Sequence, residues 1–150
     1  VHLIWDYWDQ PRSGIADCGG RPHVFRCRFD TEQDDWSHDF DLREIDAALL
    51  ALASERRAIF RRWAAALKAG RVPNETWDGP HHPALPEDRA RLAELRAAIG
   101  DPLEFGDDDA ALRRRGRFIP KPGAHPASLQ DAASWTVEWS TVVAPEEYRR

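Results

Sequence analysis

The run Ile15-Ala16-Asp17-Cys18-Gly19-Gly20-Arg21-Pro22-His23-Val24-Phe25-Arg26-Cys27-Arg28-Phe29 decides the fold class. Two apolar, alternating stretches flank a Gly-Gly pair, and a tight type I′ turn needs positive φ at both of its central positions. With Gly19 and Gly20 as the turn, Cys18 opposes Arg21 and Ala16 opposes His23. One face of the hairpin then carries Ala16, Cys18, His23, Phe25, Cys27 and Phe29, while Arg26 and Arg28 point the other way. An antiparallel hairpin is therefore expected at the heart of the chain.

Working outward, His2 to Trp8 mixes β-branched and aromatic residues and reads as a strand, and Asp9 to Gly14 has the composition of a turn. Trp135 to Val143 alternates cleanly: Trp135, Val137, Trp139, Thr141 and Val143 share one face. Arg113 to Ile119 reads as a basic edge strand halted by Pro120. Between these terminal strands the period changes. Leu49, Leu52 or Ala53, Arg56, Phe60, Trp63 and Leu67 recur at helical spacing from Asp46, a natural N-cap, to Gly70. A second helix is expected from Pro86 to Ile99, with Leu92, Leu95 and Ile99 inward and Gly100 as its stop. Strands at both ends with helices between argue for an α+β fold: an antiparallel sheet of N- and C-terminal strands, covered on one face by two helices at about 46–69 and 86–99. A doubly wound sheet would need alternating βα units. At 150 residues the chain is expected to form a single domain, 1–150.

Composition limits the function classes. No apolar run approaches the roughly 18 residues of a membrane span. With 42% hydrophobic residues and seven tryptophans, disorder is excluded. The two cysteines, Cys18 and Cys27, are too few for a disulfide scaffold and form no CxxC pair, so two reduced, buried thiols are expected. His2 to Asp9 lacks the basic and apolar regions of a signal peptide, and a cytoplasmic setting is expected. The formal net charge of −5 weighs against a general nucleic-acid binder.

Under that net charge lie distinct territories. Asp30, Glu32, Asp34, Asp35, Asp39 and Asp41 fall in one stretch without a Lys or Arg, with Trp36 and Phe40 inside it. A second acidic loop, Asp101 to Asp109, precedes the basic run Arg113, Arg114, Arg115 and Arg117. Asp30 to Asp41 has the length of an EF-hand loop, but Asp35 stands where the sharp turn requires glycine, so no metal is expected there. Cys18, His23 and Cys27 lack zinc-knuckle spacing. No cofactor is expected. The nucleophile-elbow, P-loop, dinucleotide-binding and zincin motifs are all missing, which weighs against an enzyme.

Two readings of function follow. The leading one is a protein-interaction or accessory protein, of inhibitor or immunity type, that meets a protein partner through acidic and aromatic surface. Its candidate residues are Asp30, Glu32, Asp34, Asp35, Trp36, Asp39 and Trp77. The alternative is a small α+β enzyme or ligand-binding domain with a polar cleft near the first hairpin, using Asp9, Arg12 and His23. Self-association is compatible with either.

Overall fold

A computed structural model describes residues 1–73, 83–100 and 112–142. Among these residues six strands run β1 (Leu3–Trp8), β2 (Gln10–Cys18), β3 (Arg21–Asp30), β4 (Asp35–Glu44), β5 (Leu112–Pro120) and β6 (Trp135–Thr141). They form one antiparallel sheet whose spatial order is their chain order. Two helices, α1 (Ala47–Lys68) and α2 (Arg89–Ile99), are inserted between β4 and β5. The architecture is α+β, with the sheet built from both ends of the chain. The chain divides into two compact units, Val1–Asp46 with Phe105–Arg150, and Ala47–Glu104.

The Gly-Gly hairpin has the register its sequence dictates, Cys18 opposite Arg21 and Ala16 opposite His23. Gly19 and Gly20 both sit at positive φ. The preceding turn is much shorter than its composition implies. Asp9 alone, at φ 58°, reverses the chain between the paired residues Trp8 and Gln10, and Gln10 to Gly14 is strand. Gly14 is needed there for space: a Cβ would lie 2.0 Å from the Leu3 carbonyl oxygen. The pairing of β1 with β2 shifts between Ile4 and Asp6 and again between Asp6 and Tyr7, which interrupts the two-residue alternation of a regular strand.

The sheet is strongly curled. Strands are spaced about 4.8 Å apart, so β2 and β6 would stand roughly 19 Å apart in a flat sheet. Yet the Trp139 indole on β6 donates to the Asp17 carbonyl on β2 at 2.9 Å. Tyr7 on β1 also meets Trp135 on β6 at a centroid distance of 6.3 Å. The face turned inward carries Ile4, Ala16, Phe25, Cys27, Phe40, Leu42, Phe118 and Trp135. Gly116 completes this core by being absent as a side chain, since a Cβ there would lie 2.6 Å from the Trp139 ring and 2.9 Å from that of Phe40. β5 is an interior strand between β4 and β6, not the edge strand that its arginines suggested. Among the described residues the edges are β1 and β6.

In the helical unit, α1 buries Ala53, Ile59, Trp63 and Ala66, and α2 buries Leu92, Leu95 and Ile99. Pro86–Asp88 forms a 3-10 turn leading into α2, and the Gly100 amide closes that helix on the Arg96 carbonyl. Arg62 donates two hydrogen bonds to Asp88, and Arg91 bridges Glu55 and Glu94. Among the described residues no helix is long and apolar enough to cross a membrane.

Candidate interaction site at the hairpin tips

An antiparallel meander places alternate turns at the same end of the sheet, so the β1–β2 turn at Asp9 and the β3–β4 turn at 31–34 are neighbours. One buried cation joins them. Arg12 on β2 is 7% exposed. Its Nε donates to the Trp8 carbonyl at 3.1 Å, its Nη2 to the Asp9 carboxylate at 2.5 Å, and its Nη1 to the Cys27 sulfur at 3.5 Å. Its guanidinium carbon also lies 5.4 Å from the centroid of the Trp36 ring on β4, within cation–π range. Trp36 in turn meets Phe29 edge-on at 5.3 Å. A buried guanidinium is tolerated only when its charge and donors are matched, and here one hairpin supplies the carboxylate and carbonyl while the other supplies the ring and thiol.

This arrangement leaves large apolar groups in solvent: Trp8 is 70% exposed and Phe29 is 46% exposed. Around the β3–β4 turn stand Asp30, Glu32, Asp34 and Asp35. The Asp30 carboxylate accepts the amides of Glu32 and Gln33, Asp34 takes φ 54°, and the Asp35 carboxylate accepts the Trp36 amide. These bonds fix the turn and still leave the charge at the surface.

Cys27 lies in a setting that disfavours its thiolate. Burial pushes its thiol above the ordinary value, and the neighbouring Arg12 only partly opposes this. The thiol donates to the Ser37 carbonyl at 3.3 Å. His23 lies toward the other end of β3, opposite Ala16 and Glu44, with its Nδ1 at 2.8 Å from the Arg21 carbonyl oxygen. Four residues of strand, about 13 Å, separate it from Cys27. The structure thus brings Asp9 and Arg12 together and leaves His23 and Cys18 apart from them. Among the described residues no group of three or more His, Cys, Asp or Glu side chains is placed to hold a metal ion.

The acidic stretch does not form one surface, because strand alternation divides it. Asp39 turns to the outer face, where its carboxylate meets Arg115 at 3.3 Å. Asp41 on that same face is shared by Arg26, Arg28 and Arg113. Trp77 and the acidic loop Asp101 to Asp109 lie outside the described residues. The link from Arg12 to Cys27 and Trp36 is invisible to local sequence reading, since it depends on which strands pair. The period-two recurrence of Arg26/Arg28, Asp39/Asp41 and Arg113/Arg115/Arg117 is the signal that points to a charged outer face.

Comparison with protein-family models, curated proteins and solved structures finds no match.

Proposed function

We propose that the protein is a protein-interaction module that binds a basic partner protein with the hairpin-tip end of its sheet, in the manner of an inhibitor or immunity protein. The observation that carries this reading is the Arg12 staple, which holds two turns together while Trp8 and Phe29 stay exposed. Exposed aromatics on a rigid support lose little side-chain entropy on binding, and Trp is among the residues that dominate protein interfaces. Arg12 is already matched by Asp9, so Asp30, Glu32, Asp34 and Asp35 set the local field and steer a positively charged partner.

The test is quantitative capture from a native lysate with the intact chain and two variants. Trp8→Ser/Phe29→Ser removes the exposed aromatics, and Asp34→Lys/Asp35→Lys reverses the charge at the turn. The expected result is a stoichiometric basic partner whose capture is lost with the first variant and weakened by the second, more so at low salt. A partner retained by both variants, or no stoichiometric partner, refutes the reading.

A further inference from the structure

The β2–β3 hairpin carries a second pair of chemically active side chains beside its Gly19-Gly20 turn. Cys18 stands opposite Arg21 and His23 opposite Ala16, so Cys18 and His23 share the inner face as diagonal neighbours. His23 is only 7% exposed. Its Nδ1 lies 2.8 Å from the Arg21 carbonyl oxygen. A carbonyl only accepts, so in the neutral ring Nδ1 carries the proton and Nε2 keeps its lone pair. Among the described residues nothing donates to Nε2, and nothing hydrogen-bonds the Cys18 thiol. A buried acceptor without a donor costs about 1–3 kcal/mol, so the lone pair points to an occupant that fills it.

The contact with the Arg21 carbonyl leans the His23 ring towards the turn, where Cys18 projects from the facing strand. Diagonal Cβ atoms lie somewhat under about 7–8 Å apart, and sulfur and nitrogen donors on one metal ion stand about 4 Å apart, so a single ion spans the pair. A backbone carbonyl on Nδ1–H is also what fixes the tautomer of metal-binding imidazoles. The donor count then selects the ion. Glu44 faces His23 from β4, but its carboxylate is held by Arg21 at 3.0 Å. The His2 imidazole is engaged by Asp17 at 2.8 Å. One thiol and one imidazole fall short of the three or four protein ligands that zinc takes. They suit a soft ion that accepts two ligands in line, and thiolate with imidazole favours copper.

We propose that the Cys18 sulfur and the His23 Nε2 form a two-donor site for cuprous ion. The ion takes the place of the thiol proton, which is released to solvent, and the imidazole gives its free lone pair. The Trp139 indole, tied to the Asp17 carbonyl at 2.9 Å, is fixed one residue from Cys18 and packs on the same core, so its ring lies close to the bound ion. The probe is cuprous ion kept in solution by acetonitrile, titrated anaerobically into the full chain against the competitor bicinchoninate. One ion per chain is expected, with one proton released and NMR shifts at His23 Nε2 and the Trp139 indole N–H. Cys18→Ser weakens binding by at least about a hundredfold and His23→Gln by at least about tenfold, since losing a ligand costs more than losing its support. Circular dichroism checks that both variants fold, and where His23→Gln does not, the Nε2 shift in the parent decides. His2→Gln/His38→Gln leaves the affinity unchanged. Retained affinity in Cys18→Ser, an unmoved Nε2 resonance, one ion per two chains, zinc bound more tightly than cuprous ion, or no saturation overturns the proposal. Trp8→Ser/Phe29→Ser leaves this titration unchanged, so the site and the hairpin tips stand or fall separately.

Discussion

Replacing Gly116 by alanine tests the curled core at its tightest point. The added Cβ would lie 2.6 Å from Cζ3 of Trp139 and 2.9 Å from two ring carbons of Phe40, against about 3.5–4.0 Å for unstrained carbon contacts. Neither ring has room to withdraw. Phe40 is fully buried and packs on Phe25, Phe118 and Trp139, and the Trp139 indole is tied to the Asp17 carbonyl. Overpacking of this kind costs about 1–3 kcal/mol. Alanine restores about 0.5–1 kcal/mol by lowering the entropy of the unfolded chain. The net loss is then roughly 1–2 kcal/mol, which corresponds to a fall in Tm of roughly 2–8 °C for a chain of this length. Urea unfolding, followed by tryptophan fluorescence and far-UV circular dichroism, measures it. The midpoint falls while the slope stays constant. A double-mutant cycle with Trp139→Leu then localises the effect: once the ring is gone, alanine costs about 1 kcal/mol less than in the parent. An unchanged or raised midpoint, or strict additivity in the cycle, refutes the packing argument.

Gly14→Ala is more damaging, because its Cβ would meet backbone, the Leu3 carbonyl at 2.0 Å, and backbone cannot rotate aside; the unfolding free energy measured in urea is expected to fall by more than about 3 kcal/mol. Arg12→Met keeps the stem and removes the charge. Loss of the Asp9 and Trp8 bonds is offset by the relieved burial of a cation, so stability changes by about 1–2 kcal/mol or less. Hydrogen exchange at Gln10 and Trp36 nevertheless accelerates, and unaltered exchange rejects the staple. Cys27 has a raised pKa in the folded state, so its contribution to stability is complete below the ordinary thiol pKa and is lost as pH rises through the folded value. Stability above about pH 9 therefore declines more steeply in the parent than in Cys27→Ala. At pH 7 a thiol reagent modifies Cys18, which is half-buried, before Cys27, and the reverse order disproves the assignment.

Local chemistry made much of the fold legible. Gly19-Gly20 set a hairpin register, Gly70 and Gly100 marked helix ends, and Trp135 to Thr141 alternated clearly enough to be a strand. Composition misled where it was taken for conformation. Pro11, Ser13 and Gly14 look like a turn, yet Gly14 lies in a strand because β1 passes too close for any side chain. Asp35 to Asp41 looks like a solvated loop, yet it is strand β4, whose outward carboxylates are met by arginines from both neighbouring strands. The candidate site was half legible. Asp9 and Arg12 are three residues apart and meet across a turn, whereas Cys27 and Trp36 reach Arg12 only through pairing across three strands and a shift in register between Cys27 and Phe29.

That sorting explains how carboxylates adjacent in the chain come to lie on different surfaces. Net charge governs repulsion at long range, but beyond a Debye length of about 8 Å a partner's contacts are screened, and it feels the charges it touches. In β4 the side-chain period of two sends Asp39 and Asp41 to the face where Arg26, Arg28, Arg113 and Arg115 emerge. Their carboxylates are consumed as anchors, and the guanidiniums remain outermost. At the turn the constraint of alternation ends, no strand lies opposite, and Asp30, Glu32, Asp34 and Asp35 keep their charge at the surface. The sheet thus separates charges that are close in sequence into an anionic end with exposed aromatics and an outer face on which carboxylates and guanidiniums are paired. Added salt weakens the attraction of a basic partner to that anionic end, and lysines at Asp34 and Asp35 weaken its steering further, leaving Asp30 and Glu32 as the remaining anions of the turn.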